Sequence, residues 1–253
     1  MTFIFPLLLA FLAGISTTLG SLIAFLIKKR EPKFCYLCVV FGFSAGVMIF
    51  ISFTELLSEG IASTNLLTAI SGFFGGILLI YLIDTLIPHT YEEEEYEDGK
   101  RKLKKTAILL TLGIAIHNFP EGIAVMFSSI SDARLGILIA LAIALHNIPE
   151  GIAVSIPVFY ATRSRKKAFK YSFLSGIAEP IGAIIGFLFL YPFLNEFILG
   201  IILSAVAGIM IFISFDELLP YVYKHKEVHG QPHLSLLGLF LGMFVIALTL
   251  IIL

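Results

Sequence analysis

Charge is scarce in this chain, and its placement is uneven. Only 14% of the 253 residues are charged, against 58% hydrophobic. A soluble domain of this length could not hide so much apolar surface, so a polytopic membrane protein is expected. No basic stripe with interleaved aromatics is present, which argues against nucleic-acid binding. There is no nucleotide-binding P-loop, so ATP is not the direct driver of any transport. Cysteine occurs twice, at Cys35 and Cys38. A lone C-x-x-C without further ligands reads as two reduced thiols. The N-terminus has no basic n-region, and its apolar run from Phe3 to Ile27 is too long for a cleaved signal. It reads as a retained first span.

About 20 apolar residues cross a bilayer as a helix. Eight segments qualify: 4–27, 34–57, 65–87, 106–129, 134–157, 169–191, 195–219 and 233–253. The whole chain, 1–253, reads as one transmembrane domain with a Glu/Lys-rich cytoplasmic loop at about 88–105. Eight spans place loops alternately on two sides. One set of connections holds 16 of the 17 basic residues, and the other holds only Arg134. The positive-inside rule then puts both termini outside the cytoplasm.

One phrase is written twice within these spans. Ile116-His-Asn-Phe-Pro-Glu-Gly-Ile-Ala-Val125 returns 29 residues later as Leu145-His-Asn-Ile-Pro-Glu-Gly-Ile-Ala-Val154. Imidazoles, amides and carboxylates at membrane depth are costly and usually face partners, water or an ion. His117 and Glu121 are four apart and share a helix face, with Asn118 beside them. His146, Asn147 and Glu150 repeat the arrangement. Span six adds Glu179, followed by Pro180. Each of these helices puts its ligands roughly 15–18 Å from its start, near the middle of a ~30 Å core. Pro120, Pro149 and Pro180 each free a carbonyl one turn earlier, which is tolerable beside water or an ion.

Two imidazoles, three carboxylates and two amide oxygens suit a borderline divalent transition metal. Calcium and magnesium prefer all-oxygen shells. Zn2+, Fe2+, Mn2+, Co2+ and Cd2+ all remain open. The donors exceed what one tetrahedral zinc needs, so two neighbouring positions are expected, bridged by Glu121 and Glu150. Glu55, near the outer end of span two, reads either as an entrance ligand or as an ordinary interfacial charge. The same two readings apply at the inner ends, to Asp84 with His89 and to Asp216 with Glu217, there as exit ligands.

A second repeat spans two distant helices. Gly46-Val-Met-Ile-Phe-Ile-Ser-Phe-Thr-Glu-Leu-Leu57 matches Gly208-Ile-Met-Ile-Phe-Ile-Ser-Phe-Asp-Glu-Leu-Leu219 at ten of twelve positions. Spans two and seven run in opposite directions under the topology above, so the copies are antiparallel. Spans three and eight extend the match, with Gly72 and Gly76 aligning with Gly238 and Gly242. The expected fold is an all-α membrane protein whose spans 1–3 and 6–8 form an inverted repeat around spans 4–5. Such repeats are common in secondary transporters, where they give two related states open to opposite sides.

These residues resemble the ZIP family of divalent-metal transporters, close to its bacterial zinc-uptake branch. The resemblance covers the whole chain and is most specific in the paired H-N-x-P-E-G. It implies uptake of zinc, and of iron or manganese, into a prokaryotic cytoplasm across the cell (inner) membrane. It implies a central binuclear site at His117, Asn118, Glu121, His146, Asn147, Glu150 and Glu179. It further implies a four-helix transport unit moving against a scaffold, and a homodimer. The chain departs from the family pattern in its Glu-rich loop and at Asn147, where some relatives carry Asp. Two other readings compete with a carrier. An intramembrane metal-dependent hydrolase would use one Glu as general base, but H-E-x-x-H is absent and the duplicated ligands exceed one catalytic zinc. A passive metal channel stays open.

Overall fold

The computed structural model describes residues 3–26, 34–86, 99–193, 195–220 and 232–252. Every regular element among them is helical. Helix α1 covers Ile4–Leu26, α2 Phe34–Ile51, α3 Leu57–Ser63, α4 Leu66–Leu86, α5 Gly99–Ser131 and α6 Ala133–Thr162. Then come α7 Arg165–Gly176, α8 Ala178–Leu190, α9 Glu196–Ile213 and α10 Pro232–Ile252. Among the described residues, seven helical stretches are long and apolar enough to cross a membrane. The expected fourth span, 106–129, lies within the longer helix α5.

Local chemistry sets the helix boundaries. The Asp132 carboxylate accepts from the Leu135 amide at 2.7 Å and starts α6. Asn195 does the same for the Ile198 amide at 2.9 Å and starts α9. Side-chain acceptors satisfy amides that the first helical turn leaves unused. The three span prolines behave differently. Helices α5 and α6 continue through Pro120 and Pro149. The chain instead breaks at Ile177, between α7 and α8. Pro180 therefore falls in the first turn of α8, where a missing amide removes no intrahelical bond.

Two segments depart from α geometry. Ser52–Leu56 joins α2 to α3 as a π turn, and Ser214–Leu218 extends α9 as another. These are the two Ser-Phe-x-Glu-Leu copies of the distant repeat. Each π turn closes on its serine carbonyl, from the Leu57 and Leu219 amides. Each serine hydroxyl also donates back four residues, Ser52 to Met48 at 2.7 Å and Ser214 to Met210 at 2.8 Å.

The helices sort into two groups. In one, α1 packs on α6 and α7, and α5 packs on α6 and α8. In the other, α2 packs on α10, and α4 on α9. The groups meet where α2 crosses α6 and where α5 touches α9. Met48, Ile51, Phe127, Ile139, Ile143, Met210 and Ile213 lie in the shared buried core. Outward faces of α4 and α10 stay apolar, with Phe74 61% and Phe240 63% exposed. Contiguous surface of that kind marks contact with lipid or another protein.

Glycine sets the approach of helices in the second group. A Cβ at Gly46 would strike the Leu239 carbonyl, and one at Gly208 the Phe73 carbonyl. Likewise Gly242 faces the Phe43 carbonyl, and Gly76 the Ala205 carbonyl. Phe43 and Ala205 stand 162 residues apart, as Gly46 and Gly208 do. The α2–α10 contact is thus reproduced, position for position, by the α9–α4 contact. Small residues give this backbone approach, which membrane helices exploit for packing and Cα–H···O contacts.

Candidate metal centre

The duplicated phrase brings its polar groups into the middle of the first helix group. Asn118 and Glu121 on α5, His146, Asn147 and Glu150 on α6, and Glu179 on α8 are all at most 1% exposed. His117 lies on α5, with its side chain outside the described residues. The two copies face each other, since α5 packs on α6 and α8 packs on α5.

Glycines hold this arrangement close. A Cβ at Gly122 would run into the backbone of Glu179, and one at Gly182 into that of Phe119. Gly151 meets the Thr17 carbonyl in the same way, bringing α1 onto α6. Each glycine of the H-N-x-P-E-G phrase is therefore the point where a neighbouring helix approaches its glutamate.

The two asparagines are oriented alike. Asn118 Nδ2 donates to the Ser175 carbonyl of α7 at 3.2 Å. Asn147 Nδ2 donates to the Ala13 carbonyl of α1 at 3.0 Å and also contacts Glu179 Oε1. Each amide nitrogen is thus anchored on an adjoining helix, and each amide oxygen is turned away from that anchor. Among the described residues Asn118 Oδ1, Asn147 Oδ1 and Glu179 Oε2 are buried without a hydrogen-bond partner. A buried acceptor left unmatched costs about 1–3 kcal/mol. The three oxygens sit on α5, α6 and α8, where α5 packs on the other two, and a cation would satisfy them.

His146 Nε2 faces both oxygens of Glu121, at 3.3 Å and 3.4 Å. The His146 carbonyl accepts from Ser44 Oγ on α2 at 3.3 Å. That contact joins the ligand-bearing group to the other one. Among the described residues no three histidine, cysteine or acidic side chains by themselves form a group that would hold a metal ion. The asparagine oxygens and the His117 side chain are the remaining donors of the expected set. The chemistry of the set fits a borderline divalent cation, with hard carboxylate and amide oxygens beside imidazole.

The outlying candidates Glu55, Asp84 and Asp216 lie on other elements than the cluster. Glu55 lies half-buried in the first π turn, beside α9. Asp84 is half-buried near the end of α4, and Asp216 is exposed in the second π turn. The Glu217 side chain and the whole of His89 lie outside the described residues. The positioning groups that residue typing overlooks are Ser44, Ser172 and Ser175. Ser172 Oγ donates to the Thr17 carbonyl at 2.7 Å, and the Ser175 carbonyl anchors Asn118. The signal for them is the run of small hydroxylated residues in apolar helices, such as Ser16-Thr17-Thr18.

Comparison with known proteins agrees with this architecture. The family model described as ZIP Zinc transporter matches residues 84–250. A protein of Clostridium perfringens named Zinc transporter ZupT is 49% identical, over 97% of this chain and 94% of its own length. A Streptococcus mutans protein of the same name is 49% identical, over 97% and 96% of the two chains. A third such protein, from Nitratidesulfovibrio vulgaris, is 45% identical over 96% and 95%. Matches of this extent, on a chain whose paired H-N-x-P-E-G helices pack together, leave one assignment: this chain belongs to the ZIP family of transporters.

Proposed function

We propose that this protein carries Zn2+ into the cytoplasm through the polar cluster on α5, α6 and α8, by alternating access. The observation that carries the reading is the set of buried oxygens on Asn118, Asn147 and Glu179. The amide nitrogens of the two asparagines are fixed on α7 and α1, which leaves only acceptors for a passing cation. The metal-binding residues are His117, Asn118, Glu121, His146, Asn147, Glu150 and Glu179, with Glu121 and Glu150 bridging two metal positions. Fe2+, Mn2+, Co2+ and Cd2+ are further substrates of the same donor set. Glu55, Asp84, His89, Asp216 and Glu217 serve as entrance and exit ligands along the route.

Eight spans cross the bilayer, α5 supplying the fourth, with both termini outside a prokaryotic inner membrane. Alternating access draws support from the matched contacts of α2–α10 and α9–α4 and from the paired π turns. Halves related in this way can adopt two equivalent arrangements facing opposite sides. The α1, α5–α8 group would then shift against the α2–α4, α9, α10 group, and two copies would form a homodimer.

The test is zinc flux into proteoliposomes. Glu121→Ala and Glu150→Ala should abolish saturable uptake while the purified protein stays folded. Parent-like flux in both variants would refute the site.

A further inference from the structure

We propose that Thr17 of α1 is a further metal ligand, the counterpart of Glu179 on the other side of the polar cluster; this rests on the metal-site reading given above. Its placement follows from contacts that occur in pairs. A Cβ at Gly14 would strike the Gly176 carbonyl, and one at Gly176 the Gly14 carbonyl. Gly20 meets the Ile148 carbonyl as Gly182 meets that of Phe119. Asn147 donates to the Ala13 carbonyl as Asn118 donates to that of Ser175. In every pair the α1 residue stands 162 positions before its counterpart on α7 or α8. Their partners on α5 and α6 stand 29 apart. One more pair obeys both offsets: Gly151 meets the Thr17 carbonyl, and Gly122 that of Glu179. Thr17 therefore occupies on α1 the place that Glu179 occupies on α8.

The two side chains differ in what they meet. The Glu179 carboxylate contacts Asn147 Nδ2. The Thr17 hydroxyl, on a side chain two bonds shorter, is fully buried and has no hydrogen-bond partner among the described residues. Thr17 Cβ lies 3.1 Å from where a Cβ at Gly176 would stand, beside the Ser175 carbonyl that anchors Asn118. Asn118 Oδ1 is likewise buried and unmatched. A hydroxyl left so is costly, and threonine hydroxyls serve as ligands to divalent ions. A cation shared with Asn118 Oδ1 satisfies both oxygens. The hydroxyl brings no charge, so this metal position is weaker than the one beside Glu179. It is also a hard donor, which favours Mn2+ over Cd2+ there.

Metal binding to the purified full-length protein tests the proposal, in a chain with Cys35 and Cys38 replaced by alanine. Thr17→Cys places a thiol where the hydroxyl stands, and a metal-bound thiol is deprotonated outright. Cd2+ should then give a thiolate-to-metal charge-transfer band in the ultraviolet, which the chain with Thr17 intact lacks. Thr17→Val keeps the shape and removes the hydroxyl. It should weaken zinc binding about tenfold and weaken Mn2+ binding more than Cd2+ binding, whereas Thr17→Ser should bind like the parent. A folded Thr17→Cys protein without the band, or parent-like zinc affinity and metal preference in Thr17→Val, overturns the proposal. Parent-like zinc binding in Glu121→Ala would instead refute the cluster reading beneath it. Zinc binding lost in Glu121→Ala, with no band in Thr17→Cys, leaves that reading standing and removes this one.

Discussion

Replacing Gly122 by alanine adds one methyl group between α5 and α8, and the consequence can be worked from distances. The new Cβ would lie 2.6 Å from the carbonyl carbon of Glu179 and 2.9 Å from its α-carbon. Carbon atoms in good contact sit about 3.5–4.0 Å apart. The helices must therefore separate by ~1 Å, because the obstacle is backbone and cannot rotate aside. Overpacking of this kind costs about 1–3 kcal/mol. The displacement falls on Glu179 itself, whose carboxylate contacts Asn147. If half of that cost appears in the metal-bound state, zinc affinity falls roughly two- to tenfold, at 1.4 kcal/mol per decade.

Two other glycines calibrate the result. At Gly186 the atoms nearest the added Cβ belong to the Ile123 side chain rather than to backbone, at 3.0 Å or more, and at Gly75 nothing lies within 4 Å. Gly186→Ala should thus be mild. Gly75→Ala should be neutral or stabilising by about 0.4–1 kcal/mol, since alanine restricts the unfolded chain. The assay is zinc flux in proteoliposomes beside thermal unfolding of the purified protein. Parent-like affinity and stability in Gly122→Ala would refute the claim that this glycine sets the position of Glu179.

Four further outcomes can be checked. Asn147→Ala removes the donor to Ala13 and Glu179 together, so it should destabilise by about 1–3 kcal/mol per acceptor left unmatched, read as a lowered melting temperature. Ser172→Ala, which loses one helix-to-helix bond, should cost only about 0.6 kcal/mol in the same measurement. Gly46→Ala and Gly208→Ala strike equivalent carbonyls and should lower stability by similar amounts; a large effect at one and none at the other would break their equivalence. In a chain lacking Cys35 and Cys38, Arg134→Cys should react with an impermeant thiol reagent from outside and Lys167→Cys only from inside. The reverse pattern would invert the topology.

Much of the candidate site is legible in the order of residues. The spacing of His117, Asn118 and Glu121, repeated at His146, Asn147 and Glu150, identifies two polar helices before any contact is known, and Glu179 marks a third. This works because polar groups in a membrane helix are too costly to be incidental. The glycine after each glutamate is visible too, though not that it seats a neighbouring backbone. Proline gives a poorer forecast. Three prolines suggest three disturbed helices, whereas the chain breaks only beside Pro180, because neighbouring helices and hydroxyls can support the carbonyls a proline frees. The π turns at Ser52–Leu56 and Ser214–Leu218 are foreshadowed as a repeated phrase, but not as a backbone geometry.

Residue order alone determined the membrane class, the charge asymmetry of the loops, the two repeats and the ligand types, because each depends on composition and local period. Tertiary structure alone decided which backbone carbonyls anchor Asn118 and Asn147, that Ser44 reaches His146 from the other helix group, and that α2–α10 and α9–α4 pack alike. Those contacts join residues from about 57 to 200 positions apart. No local propensity encodes them, because they arise only when close-packed helices choose their neighbours.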